Sequence, residues 1–141
     1  MILYEEPQVN EAGLKFWRPG KYFSESVEPP DGAKPVQFSG IIATGLETRP
    51  GMEEQTRIVF AELLARLERA GLTIHHVSRI EVFCEVSLED LYGAFNEMYA
   101  ALLREAGVTL MPARLMTRAR ELPKGAFIEF MPDVWRAPTA S

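Results

Sequence analysis

The sequence predicts an α+β domain, a mixed β-sheet backed by two α-helices. Three observations predict it. Residues 52–70 and 88–106 repeat apolar side chains at helical spacing, and a glycine follows each stretch. Residues 36–42, 77–86, 113–119 and 126–131 are short and rich in β-branched or aromatic residues, as strands are. The order is then a β-rich beginning, helix, strand, helix and two strands, which places both helices on one sheet face.

The chain has 141 residues, enough for one domain spanning 1–141. Its 47% apolar and 25% charged content suits an ordinary globular chain able to bury a core. No stretch approaches the ~20 apolar residues of a membrane span. Glu5, Glu6 and Pro7 stand where an export signal would need an apolar run. A net charge of -5 argues against a generic nucleic-acid partner. Cys84 is the single cysteine, so no intramolecular disulfide forms and a reducing, cytoplasmic compartment is expected. The two histidines, His75 and His76, are adjacent and converge poorly on one metal ion.

Residues 1–35 hold Pro7, Pro19, Pro29, Pro30 and Pro35, so short strands and turns are expected there. Pro29-Pro30-Asp31-Gly32 reads as a turn. Val36 to Ile42 reads as a strand leading to a Thr44-Gly45 turn and a loop through Pro50-Gly51. The first helix, 52–70, has Glu53 and Glu54 in its first turn and Arg66 and Arg69 in its last, matching the macrodipole. Val59, Phe60, Leu63, Leu64, Leu67 and Ala70 make its apolar stripe, and Gly71 caps it in the left-handed conformation. In the strand 77–86, Ile80, Val82, Cys84 and Val86 share a face opposite Arg79, Glu81, Phe83 and Glu85. Ser87 with Asp90 offers an N-cap for the second helix, 88–106. Leu91, Phe95, Met98, Leu102 and Leu103 form its stripe, and Gly107 closes it. Strands at 113–119 and 126–131 are joined through Leu122-Pro123-Lys124-Gly125. Residues 132–141 read as a frayed tail. Phe83, Met116 and Met131 are candidates for the sheet face away from the helices, and an apolar open face predicts association.

Arg114 and Glu129 each interrupt an apolar strand. An arginine fork takes a carboxylate through two parallel hydrogen bonds, and a nearby glutamate can orient or deprotonate water. If the last two strands are neighbours, the two residues meet; a structural ion pair, or two exposed charges, fits the alternation equally. Ser39-Gly40 can open backbone N–H groups to an anion or mark a bulge. Cys84 reads as a buried, inert thiol. Trp17, Tyr22 and Phe23 can line a pocket or fill the core.

Several ordered segments resemble the RidA/YjgF family, also called L-PSP. They are Phe38-Ser39-Gly40, Glu54-Gln55-Thr56-Arg57, Leu67-Glu68-Arg69-Ala70-Gly71-Leu72, Asn96-Glu97-Met98-Tyr99, Pro112-Ala113-Arg114, Leu122-Pro123-Lys124-Gly125 and Ile128-Glu129. The resemblance covers roughly residues 36–131, and more loosely 23–27. It implies a chorismate-mutase-like fold, a homotrimer with clefts between subunits, and a small carboxylate-containing substrate, without metal or organic cofactor. It implies hydrolysis of an imine or enamine acid to an oxo acid and ammonia. On the family's pattern Arg114 holds the carboxylate, Glu129 orients water, and Ser39, Gly40, Ile41, Met116, Phe23 and Tyr22 form the substrate rim. The chain departs from that pattern at Ile41, Met116, Glu62 and Phe23, each less suited to polar contact with substrate or altered in charge. The departures point to a bulkier or more apolar substrate than 2-iminobutanoate-type acids, an aminomuconate-like one for example. The alternative is a trimeric carboxylate-binding protein without catalysis.

Overall fold

The computed structural model describes residues 5–43, 51–85 and 92–139. Among the described residues, eight strands and two α-helices follow one another as β1 (Gln8–Val9), β2 (Lys15–Pro19), β3 (Ser24–Glu28), β4 (Lys34–Gln37), β5 (Ile41–Ile42), α1 (Met52–Arg69), β6 (Val77–Glu85), α2 (Tyr92–Glu105), β7 (Ala113–Ala119) and β8 (Ile128–Arg136). The expected turn at Thr44-Gly45, the loop at Pro50, Val86, the Ser87 cap with Asp90, and the side chain of Leu91 lie outside the described residues.

The main sheet runs β4-β8-β6-β7, with β5 also paired to β8. It is mixed: β6 and β7 are parallel, while β8 is antiparallel to β6, β4 and β5. The early prolines do confine the chain start to short strands, and β1-β2-β3 form a small antiparallel sheet. The Pro29–Gly32 turn is present, closed by the Ala33 N–H donating to the Pro30 carbonyl at 3.1 Å.

Three expectations need correction. The strand expected over 36–42 is two pieces, β4 and β5, both laid along β8 and separated at Phe38, Ser39 and Gly40. The frayed tail is instead structured through Arg136. Val134 is buried and pairs with both Val36 and Val77, so apolar burial extends β8 beyond Pro132. The stripe of α2 is rotated by one residue: Tyr99 is buried beside Phe95 and Leu103, while Met98 is only half-buried.

The core lies between the sheet and the helices. Val59, Phe60, Leu63 and Leu67 of α1 and Phe95, Tyr99 and Leu103 of α2 meet Ile80, Val82, Ile128, Phe130 and Val134. Each such side chain contributes about 1.5–3 kcal/mol by leaving water. Gly71 and Gly107 adopt the left-handed conformation that ends each helix, at φ 74° and 93°.

Strand alternation then assigns the faces. Across β6 and β7, Ile80 pairs with Arg114, Val82 with Met116 and Cys84 with Arg118, so these share the helix-facing side. Across β6 and β8, Phe83 pairs with Glu129 and Glu81 with Met131 on the open side. Met116 therefore belongs to the helix-facing side, contrary to expectation, while Phe83 and Met131 do lie on the open one. Arg79 and Asp133 form an ion pair at 2.9 Å there.

Candidate functional site

Arg114 enters from β7 on the side of the helices and stops against three aromatic rings. Its guanidinium carbon lies 5.0 Å from the Tyr99 ring centre, 5.3 Å from that of Phe23 and 5.9 Å from that of Phe95. A guanidinium keeps favourable electrostatics against aromatic faces while it loses water. Its planar fork is thereby hemmed in by aromatic surface. Burial drives the Tyr99 phenol well above its usual titration range, with the Arg114 charge pulling the other way. Tyr99 is thus a neutral wall at any physiological pH.

Phe23 arrives from the β2–β3 hairpin tip. Tyr22 beside it turns away, its hydroxyl donating to the Glu97 carboxylate on α2. Ser24 anchors the tip to the chain just before Arg114: its hydroxyl donates to the Met111 carbonyl at 2.6 Å, and its N–H to the Pro112 carbonyl at 3.3 Å.

Glu129 lies elsewhere. It projects from β8 on the open side, and β6 separates its strand from that of Arg114. Strand spacing alone sets the two apart by about 10 Å, on opposite faces. The intrachain Arg114–Glu129 meeting does not occur, because β7 and β8 flank β6 rather than each other. What Glu129 does meet is Gly40. A Cβ on Gly40 would stand 2.0 Å from Glu129 Oε2 and 2.9 Å from Cδ. The absence of a side chain at position 40 is what lets the carboxylate lie against the backbone.

Ser39 is exposed, and its carbonyl accepts from Arg66 Nη1 at 3.1 Å. Glu62 in turn accepts from Arg66 Nε at 3.1 Å and from Arg69 Nη2 at 3.0 Å. Those hydrogen bonds, that of Arg66 foremost, hold the Glu62 carboxyl below the usual carboxylate range. Gly40, Ile42, Ile58, Ala61, Glu62 and Arg66 line a shallow depression of about 450 Å³ at this edge. Ile41 does not join it: paired with Phe130, it is fully buried in the core and its side chain cannot line an open pocket of this chain.

The candidate residues therefore fall into two groups at opposite sheet edges. Arg114, Phe23, Tyr22 and Met116 belong to the β7 edge; Ser39, Gly40 and Glu129 belong to the β5–β8 edge. Gln55, singled out in the sequence only as part of the Glu54–Arg57 segment, tethers the chain near Glu129. It is buried on α1, and its Oε1 accepts from the Phe127 N–H at 2.7 Å, fixing the chain two residues before Glu129. A polar residue on the buried stripe of α1 was the available signal.

The remaining candidates are occupied structurally. Cys84 is half-buried; burial raises its thiol pKa and outweighs the opposing charge of Arg118. His75 pairs with Glu11 at 2.8 Å, and His76 caps the turn before β6 through Thr73. Among the described residues no cluster of His, Cys, Asp or Glu has metal-binding geometry, and no helix is long and apolar enough to cross a membrane.

Comparison with known proteins converges on one family. The family model described as Endoribonuclease L-PSP matches residues 20–132. A RutC family protein of Pyrococcus horikoshii is 32% identical over 88 residues, which are 61% of this chain and 64% of that protein's length. The match therefore spans less than two thirds of that relative. Among solved structures, the Rid family protein YyfB from Yersinia pestis superposes with a TM-score of 0.68 at 21% identity, over 81% of this chain and 86% of that one. TdcF of E. coli, solved with bound serine, gives 0.65 at 21%, over 84% and 96%. At these identities the structures show a shared fold.

Proposed function

The chain belongs to the endoribonuclease L-PSP family, that of RidA and YjgF, and from that premise we propose that it hydrolyses an imine or enamine carboxylic acid to the oxo acid and ammonia. The observation that carries this reading is the guanidinium of Arg114, held among Phe23, Phe95 and Tyr99. A fork so confined suits a substrate carboxylate.

The chemistry asks little beyond placement. A protonated imine next to a carboxylate is already electrophilic, so holding it and delivering water supply most of the acceleration. Glu129 accepts a proton from water as its oxygen bonds to the imine carbon. That proton passes to the nitrogen of the resulting amino alcohol. The C–N bond then breaks, ammonia leaves, and loss of the hydroxyl proton gives the oxo acid.

Arg114 and Glu129 cannot serve one ligand within one chain, so the reading needs a second copy. Arg114 of one protomer faces the Gly40–Glu129 edge of its neighbour, and three copies close a ring as a homotrimer. Support for association comes from the open face, where Phe83, Met131 and Trp135 are half-buried and Leu115 is 46% exposed. The apolar walls at Phe23 and Met116 favour a substrate bulkier or more apolar than 2-iminobutanoate-type acids, such as an aminomuconate-like one. RNA cleavage fits poorly: His75 and His76 are both tied into the turn before β6, and the net charge is -5.

The test is ammonia release from freshly generated imino acids. Arg114→Ala is expected to lower kcat/KM by at least ~100-fold with its circular dichroism spectrum retained. Equal turnover by wild type and variant would refute the reading. Arg114-dependent thermal stabilisation by carboxylates, without ammonia release by the wild type, would assign the chain to binding instead.

A further inference from the structure

Phe23 is 46% exposed, so burial alone does not hold its ring against Arg114. The turn that carries it is narrowly shaped. Gly20 N–H donates to the Phe23 carbonyl at 3.0 Å, and a Cβ on Gly20 would stand 2.8 Å from that oxygen. Arg18, two residues earlier, adopts the left-handed region at φ 48°, rare for a residue with a side chain. One root of the tip is fixed at Ser24.

The outer edge is tied to α2. Glu97 accepts from Lys21 Nζ at 3.0 Å and from the Tyr22 hydroxyl, and Arg104 Nη2 donates to the Lys21 carbonyl at 3.2 Å. Two consecutive side chains immediately before Phe23 thus share one carboxylate.

We propose that Glu97 is a positioning residue: through Lys21 and Tyr22 it latches the hairpin tip so that the Phe23 ring stays packed against the Arg114 guanidinium beside Tyr99 and Phe95. A carboxylate approaches a guanidinium through its edge, in the plane of the fork. Three rings with centres 5.0–5.9 Å from the guanidinium carbon restrict the fork's rotation. Phe23 is then the wall that selects substrates by what lies beyond their carboxylate, and Glu97 sets where that wall stands. The inference rests on Arg114 as carboxylate anchor, and its test has a readout independent of turnover.

Arginine-specific modification by phenylglyoxal, followed at the Arg114 peptide by mass spectrometry, reports that packing directly. Glu97→Ala is expected to accelerate modification of Arg114 about 5- to 10-fold, and to raise KM comparably with kcat within about twofold. Glu97→Gln, which keeps an acceptor for Tyr22 but loses the charge for Lys21, falls between. Phe23→Leu keeps apolar bulk without the aromatic face and should match Glu97→Ala in modification rate. Faster modification with an inactive wild type upholds the latch while removing the proposed reaction. A rate at Arg114 unchanged from wild type in Glu97→Ala overturns the latch.

Discussion

Gly40 shows how one missing side chain can set chemistry. Its would-be Cβ overlaps the end of the flexible Glu129 side chain rather than backbone. An added methyl is therefore relieved by moving the carboxylate, at small cost to the fold. We expect Gly40→Ala to melt within a few degrees of wild type yet, if the proposed reaction holds, to lose about tenfold or more in kcat, because the carboxylate can no longer rest where that proposal has it direct water. Unchanged kcat would show that the Glu129 position is not exacting. The value of Arg114 is likewise a matter of surroundings: three rings make its fork a fixed feature of the β7 edge.

Among the elements, α1 reaches the site through its last turns. Glu62 gathers Arg66 and Arg69, and Arg66 extends to the Ser39 carbonyl. Because the folded Glu62 carboxyl titrates below its unfolded value of about 4.3, it stabilises the fold above that pH. The contribution fades as pH falls through the lower, folded value. The group is partly exposed, so solvent screens the pair and the effect is small, at most about 1 kcal/mol. Thermal melts of Glu62→Gln should lie slightly below wild type at pH 7, and the gap should close below pH ~4. A gap that persists or widens in acid would contradict this. At this scale the sequence was readable where period and caps agreed, as in α1 from Met52 and in β7. It was less readable where tertiary pairing overrode local cues. The break at Phe38–Gly40 follows from β8 serving two short strands, and the ordering of Pro132–Arg136 from partners far along the chain. Tyr99 was passed over although Phe95, Tyr99 and Leu103 repeat every four residues: Met98 and Leu102 offered a competing stripe of aliphatic side chains one position round the helix.

At the scale of the molecule, the candidate residues were legible but their arrangement was not. Alternation identified Arg114 and Glu129 as interruptions of apolar strands, yet strand order is a property of the assembled sheet. With β6 between them, they occupy opposite faces and cannot converge on one ligand in a single chain. The two-copy site that we propose makes a demand that neither residue's own substitution can test: an intact site requires Arg114 from one chain and Glu129 from another. Arg114→Ala and Glu129→Gln, each inactive alone, should therefore complement when unfolded together in equal amounts and refolded as mixed oligomers. About a quarter of wild-type ammonia release is expected, since random mixing joins an intact arginine to an intact glutamate at that share of interfaces. Mixed oligomers as inactive as either parent, formed alongside an active wild type, would contradict the shared site.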